Sequence, residues 1–516
     1  MVDNQQLHTD GEVAPITTGA LIATNSVWSV VGDASPMVLA VVAIPIMIRK
    51  LGTAEFGILS MAWAMVGYTA VFDLGLSRAL TKLVADKIAL GRRSEIASLF
   101  WIGALLTLAF GLTGGVLLGL ASPSLVHHVL NIPEQLQAHV LTVFYILALT
   151  VPMVIVTSAL QGFLAAFQRF DLITAVRIPT IATLFICPLA VLPFSGSLVL
   201  ITALFLLTRA IACLATGILC VRVWPPIGRD LRMNRQDVKP LITFGGWVTV
   251  SNLIVPFMLY CDRFFVGAFL TISAVTYYAT TYDVITKLTI IPSAIARAFF
   301  PAFAEALVAN RARALQLLHR GTDLTFLAIA PIIVVAVTFA PEALHLWLGP
   351  AFAVKSGPVL RWLAIGVLVN SVGHLPYTLL QAANRPDITA KLHIVELPFY
   401  VGLVSCLIRW YGIEGAAIAW TARLVFDTAG YWVAAILLLP EAAETARRAG
   451  AAMVAVLVVI TMSVYLPAGL VAKTVFVSLA LSLGGFCGWL YLLTAEEKEH
   501  VSRSITIVGA MVGRSI

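Results

Sequence analysis

The sequence predicts an all-α polytopic membrane protein of about 14 transmembrane helices, arranged as two six-helix lobes followed by two further helices. Three observations lead there. Of 516 residues, 60% are hydrophobic and only 11% charged, whereas a soluble domain carries about 25% charged residues. No soluble core of this size could bury the excess, so most of the chain faces lipid. The apolar residues come in runs of about 20, the length a helix needs to cross a bilayer. Two charged stretches of the first half also recur in the second half at nearly equal offsets.

Taken in order, the first lobe comprises windows at 17–48, 57–79, 96–120, 139–165, 173–195 and 198–221, each ended by charged residues or by Gly/Pro turns. The second lobe comprises 241–268, 275–299, 322–345, 358–382, 388–410 and 413–437. Windows at 449–468 and 474–494 complete the set. The expected domains are 1–221, a cytoplasmic linker at 222–240, a second lobe at 241–438, the last two helices within 439–494, and a cytoplasmic tail at 495–516. The opening stretch "MVDNQQLHTDGEVAPITTGA" lacks the basic n-region and small-residue cleavage site of a signal peptide, so the first apolar run is expected to remain as a helix.

Orientation follows from the basic residues. Connections after even-numbered windows carry Arg78, Lys82, Lys87, Arg92 and Arg93, then Arg222, Arg229, Arg232, Arg235 and Lys239, with similar groups further on. The opposite side carries few: Arg49, Lys50, Arg263, Lys355, Arg361, Arg409 and Lys473. The positive-inside rule therefore predicts both termini in the cytoplasm. It also accounts for the net charge of +7 as topology and contact with anionic lipid, and removes the need for a nucleic-acid partner. The Arg49–Lys50 pair runs against the rule.

The internal repeat is parallel. "SRALTKLVADKIALGRR" (77–93) aligns with "ARAFFPAFAEALVANRA" (296–312) at an offset of 219, matching Arg78 to Arg297 and Asp86 to Glu305. At an offset of 214, Arg209 in "LFLLTRAIACLA" meets Arg423 in "IAWTARLVFDTAGYW".

Several functions are excluded. No GxxxxGK[ST] phosphate loop occurs, so ATP hydrolysis of the P-loop kind is not expected. No connection is long enough for a soluble glycosyltransferase domain or a catalytic external loop. His127 and His128 have no acidic or cysteine neighbour and read as loop residues. The six cysteines all fall in apolar stretches without metal-ligand spacing and read as small buried hydrophobes, with no disulfide, zinc or cofactor expected. An enzyme is not predicted.

What remains are charges in apolar windows, which must face a partner or a wet cavity. They are Asp33, Asp73, Arg209, Asp262, Arg263, Asp283, Lys287, Glu396, Arg423 and Asp427. Asp283 with Lys287, and Arg423 with Asp427, are four apart and share a helix face, so each could form a local ion pair. Arg209 has no acid three or four positions away. It either meets an acid on another helix, such as Asp283, or serves as a cavity cation for an anionic substrate, since a guanidinium matches phosphate oxygens in a planar fork. Asp33 lies three residues before Pro36, where a freed carbonyl would make a polar notch. It is either a proton or sodium site or an acid bonded to a neighbouring helix. Tyr277, Tyr278 and Tyr282 either stack on sugar rings or anchor at the interface.

Three stretches carry a family resemblance: "RKLGTAEFGILSMAW…GYTAVFDLGLSRALTKLVA", "YCDRFFVGAFLTISAVTYYATTYDV" and "YGIEGAAIAWTARL". In this order they resemble bacterial polysaccharide flippases of the multidrug/oligosaccharidyl-lipid/polysaccharide (MOP) exporter superfamily, and the likeness runs over nearly the whole chain. The resemblance implies a two-lobed, MATE-like bundle of alternating access in the bacterial inner membrane. Its substrate would be a polyprenyl-diphosphate-linked oligosaccharide for O-antigen, capsule or exopolysaccharide synthesis. Polysaccharide polymerase and assembly proteins would be its partners besides membrane lipids. It also implies a cationic cavity, for which Arg209, Arg423 and Lys287 are candidates, with Asp283, Asp262 and Arg263 beside them and Asp33 as the candidate for ion coupling.

Two other transporters compete. An organic-cation antiporter of the same superfamily should have an acidic, aromatic cavity, whereas the repeat positions here are arginines. A flippase for the lipid-linked peptidoglycan precursor would carry the same diphosphate. A non-transporting scaffold for polysaccharide assembly is the third alternative.

Overall fold

Elementary physics explains why the described residues are mostly helical: in lipid each backbone N–H and C=O must be satisfied within the protein, and the helix does this without a partner segment. A computed structural model describes residues 39–68, 73, 75–229, 233–234, 238–465 and 469–487. Among them helices alone carry the fold, with no strand. Nine helical stretches of the described residues are long and apolar enough to cross a membrane. The expected window at 17–48 lies largely outside the described residues, as do Asp33, the end of the 474–494 window and the tail at 495–516.

In chain order, α1 (residues 39–51) is followed by α2 (Thr53–Tyr68), α3 (Leu76–Ala89), α4 (Ile96–Ser124), α5 (Glu134–Ala166), α6 (Phe170–Val191) and α7 (Leu198–Val223). Next come α8 (Val238–Phe269), α9 (Ile272–Ile285), α10 (Ile290–Ala309), α11 (Arg311–Thr338) and the short α12 (Ala340–Leu348). α13 (Pro350–Ala382), α14 (Pro386–Leu438), α15 (Ala442–Tyr465) and α16 (Leu470–Cys487) complete the order.

Three windows are subdivided. The window at 57–79 contains the end of α2 and the start of α3, with Gly75 at φ 72° between them. The charged stretch from Ser77, expected as a loop, is an amphipathic helix: Leu76, Ala79, Leu80 and Val84 are buried, while Arg78, Lys82 and Asp86 lie on the other face. The window at 275–299 is α9 and α10, joined by a tighter turn at Thr286–Thr289. Pro292, in the first turn of α10, has no N–H to continue α9 across that turn. The window at 322–345 becomes α11 and α12, the latter begun by Pro341 in its first turn.

The chain divides into two compact units. Of the described residues, the first takes those within 39–50, 65–123 and 138–249. Its core is aromatic, with Phe100 and Phe163 edge to face at 4.9 Å between ring centroids, and Leu80, Leu160 and Cys220 around them. Helices α4 and α5 touch where Gly111 and Gly115 face Pro152 and Ala148; a Cβ on Gly111 would lie 2.6 Å from Pro152 Cα. Small residues at such a spacing let two membrane helices approach backbone to backbone.

Of the described residues, the second unit takes those within 51–64, 124–137 and 250–487. Its axis is α13, whose spanning window is 61% buried, the highest share of the nine. Thr421 and Thr428 of α14 donate hydrogen bonds to the α13 carbonyls of Trp362 (2.7 Å) and Val369 (3.2 Å). Gly366 and Gly373 provide the room. The windows at 388–410 and 413–437 are the two halves of α14. Gly412, at φ 59° and ψ −137°, sits where side-chain-bearing residues are strained, and the halves fold back on one another in antiparallel register. Phe399 meets Phe426 at 5.7 Å and His393 meets Tyr431.

Candidate functional site

Each half of α14 carries a polar stripe at helical spacing. His393, Glu396 and Tyr400 share a face of the first half, and Arg423, Asp427 and Tyr431 share a face of the second. The antiparallel fold turns these stripes toward each other. A cavity of about 310 Å³ opens beside them in the second unit, its wall including Tyr282, Asn370, His374, His393, Arg423 and Asp427.

Inside this arrangement Arg423, only 5% exposed, has its Nε 3.7 Å from Glu396 Oε1 and its guanidinium 5.3 Å from the centre of the Tyr400 ring. Glu396 is fully buried, yet neither of its carboxylate oxygens has a hydrogen-bond partner among the described residues. Asp427 Oδ1 has none either; its nearest basic neighbour is His393, with Nε2 at 3.8 Å. His393 Nε2 is also 3.0 Å from the Tyr431 hydroxyl. One donor atom each from His393, Glu396 and Asp427 lie within 4.8 Å of one another, so one small cation could touch all three.

The local ion pair expected between Arg423 and Asp427 does not form. Arg423 reaches across the hairpin to Glu396 instead, and Asp427 faces His393. The cause is tertiary: the folded-back half offers each group a partner at shorter range than one turn along its own helix.

A second buried group lies in the same unit. Asp262 accepts hydrogen bonds from the Arg263 backbone N–H (2.8 Å) and from the Tyr278 hydroxyl (2.6 Å). Arg263 donates to Asp283 and stacks 5.4 Å from the Tyr282 ring centre. The expected pairing of Asp283 with Lys287 is therefore replaced by one with Arg263. Lys287 falls in the turn between α9 and α10 and is exposed. Tyr277, Tyr278 and Tyr282 are all buried.

In the first unit, Arg209 sits in mid-α7, partly buried, with no hydrogen-bond or ion partner among the described residues. Asp73 is buried and accepts from Ser77 at 2.5 Å, and Ser77 is in turn 2.8 Å from Ser158. Outside the spanning helices, Glu342 of α12 takes a hydrogen bond from Lys473 of α16 at 2.6 Å. Burial pushes the Glu342 carboxyl up, but the Lys473 ammonium and the helix backbone outweigh it and hold the group below its ordinary range.

Reading the sequence singled out Arg423 and Asp427 but gave His393 no role and Glu396 no partner. The available signal was the stripe itself, three polar residues at i, i+3 and i+7 in an apolar helix.

A family model described as polysaccharide biosynthesis protein matches residues 22–307. A Shigella flexneri protein named as an O-antigen transporter is 28% identical over 411 residues, covering 79% of this chain and 96% of that one. Among solved structures, the chain resembles an inward-facing multidrug resistance MATE family transporter of the MOP superfamily. The TM-score is 0.69 at 14% identity, over 81% of this chain and 99% of that one. It also resembles the lipid II flippase MurJ in an inward closed conformation, with a TM-score of 0.66 at 10% identity, over 91% and 99% of the two chains. The all-helical multi-pass fold expected from composition is the fold of these transporters.

Proposed function

We propose a function from one premise: this chain belongs to the polysaccharide biosynthesis protein family. It is a flippase that moves polyprenyl-diphosphate-linked oligosaccharide from the cytoplasmic to the periplasmic leaflet of the bacterial inner membrane. The glycan serves O-antigen, capsule or exopolysaccharide synthesis, and a polysaccharide polymerase with its assembly proteins receives it. The lobes at 1–221 and 241–438 alternate in access, with both termini in the cytoplasm.

The observation that carries this reading is Arg209, a permanent cation in the middle of an apolar helix that meets no acid among the described residues. Holding an arginine at that depth costs about 2.5–3.5 kcal/mol on insertion scales, and an anionic diphosphate offsets that cost when it binds. Arg423 contributes at the cavity wall, where it is already in contact with Glu396. We assign to the same substrate cavity Asp262, Arg263 and Asp283, joined by their own bonds in that unit, and the exposed Lys287.

The test is the leaflet distribution of lipid-linked oligosaccharide in cells depleted of this protein. Inner-leaflet accumulation, cured by wild type but not by a normally inserted Arg209→Ala protein, is the expected result. Normal delivery to the outer leaflet in depleted cells without a second flippase would remove the reading.

A specific observation favours one competitor. The cavity wall in the second unit is aromatic and carries Asp427 together with Tyr282, Tyr377, Trp420 and Tyr431, a composition that suits an organic cation. Efflux of such a cation from cells carrying the protein would select the antiporter.

A further inference from the structure

We propose that the cavity of the second unit is a sugar-binding subsite, taking a neutral monosaccharide or disaccharide portion of the lipid-linked glycan. The proposal rests on the flippase reading, which supplies the glycan: Arg209 takes the diphosphate, and this cavity takes the sugar.

The first support is the pattern of unused bonding capacity. Trp420, Arg423 and Asp427 stand on the cavity wall and are only 3%, 5% and 6% exposed. Trp420 Nε1 and Arg423 Nε are donors and Asp427 Oδ1 is an acceptor. None of the three has a hydrogen-bond partner among the described residues, and buried polar groups left unpaired are uncommon. A cation engages Asp427 alone, and an anion engages only the two N–H groups. A sugar hydroxyl donates and accepts at once, so one polyol satisfies both kinds. Asn370, on the same wall, adds a side-chain amide that offers both donors and an acceptor.

The second support is the aromatic wall. Tyr282 and Trp420 stand edge to face at 5.4 Å between ring centroids, and Tyr377 and Tyr431 do so at 5.3 Å. Each pair fixes its rings, so the apolar C–H face of a sugar meets flat surfaces already set. An organic cation also suits aromatic rings, but it leaves the Trp420 and Arg423 donors unpaired.

Size is the third support. At about 310 Å³ the cavity lies at the small end of ligand sites, which run from about 300 to 1,000 Å³. It holds a monosaccharide or disaccharide and not a whole oligosaccharide.

The test uses the purified full-length protein in lipid nanodiscs with no lipid-linked substrate. Saturation-transfer NMR titrations are run with free glucose, galactose, mannose, rhamnose, N-acetylglucosamine and maltose. Saturable binding of at least one of them is the expected result. Trp420→Phe, which keeps a ring and removes the N–H, is expected to weaken that binding about five- to tenfold, and so is Asn370→Ala. Thermal unfolding checks that each variant is folded, and a loss in either folded variant places the sugar in the cavity.

Wild type that binds none of the sugars saturably overturns the proposal, as does binding that the folded variants retain at full strength. So does binding of tetraphenylphosphonium that Asp427→Asn abolishes and no sugar displaces. A protein that delivers lipid-linked glycan but binds no sugar loses this subsite and keeps the flippase reading. One that binds sugar but fails the leaflet assay keeps a sugar site and loses that reading.

Discussion

Replacing Arg423 by alanine strips Glu396 of the nearest positive charge to its buried carboxylate. Removing one partner of a buried pair costs about 3–5 kcal/mol, while replacing both with apolar residues of similar volume is often neutral. Arg423→Leu alone is therefore expected to lower thermal stability sharply, and Arg423→Leu with Glu396→Leu to recover most of the loss. A double-mutant cycle by thermal unfolding measures this, and additive losses would contradict it. Arg209 should behave oppositely. With no partner among the described residues and an insertion cost of about 2.5–3.5 kcal/mol removed, Arg209→Ala is expected to leave the unfolding temperature unchanged or raise it. Its transport should fail nonetheless. A chain that unfolds early on losing Arg209 would mean that the arginine is a structural strut.

At the scale of elements, the α14 hairpin depends on one residue. Gly412 has φ 59° and ψ −137°, and no atom stands within 4 Å of where its Cβ would lie. Gly412→Ala therefore meets a backbone cost alone, about 1–3 kcal/mol. The expected result is a lower unfolding temperature with an unchanged helical signal by circular dichroism; an unchanged temperature would show that the turn relaxes freely. The tether between α12 and α16 responds to pH. The Glu342 carboxyl is held below its ordinary range, so its contribution is complete above the unfolded carboxylate value and is lost as pH falls through the folded one. Hydrogen exchange in α16 is expected to quicken in that acid window, and Glu342→Gln should show the quicker exchange already at neutral pH. Equal exchange in both proteins would leave the Lys473 bond without mechanical consequence. The elements also show where sequence patterns suffice. The turn at 410–413 falls between two apolar windows, so it was legible as a boundary. The segment from Leu76 to Ala89 was not, because its charges suggested a loop until its 3.6-residue periodicity was set against the buried face.

For the molecule as a whole, the relevant quantity is the charge moved across the bilayer. With the cell interior negative, outward transfer of one negative charge is favoured by about 2.3 kcal/mol per 100 mV, close to a 50-fold bias. Collapsing the potential with an ionophore is expected to slow outer-leaflet delivery of the lipid-linked glycan, measured before growth is affected. Undiminished delivery would mean that protein cations travelling with the diphosphate cancel its charge, or that an exchanged cation drives the cycle.

Composition and periodicity by themselves determined that this chain is an all-helical, multi-pass membrane protein. The reason is that lipid permits few backbone solutions, and runs of about 20 apolar residues announce the commonest of them. They also picked out Arg209, Arg423 and Asp427, since charge is conspicuous where nearly everything else is apolar. Only the tertiary structure decided which charges meet. Spacing along one helix predicted Arg423 with Asp427 and Asp283 with Lys287. The fold instead joined Arg423 to Glu396 and Asp283 to Arg263. Helical periodicity fixes which face a side chain occupies, whereas the groups opposite that face come from a different segment, chosen by how the helices pack.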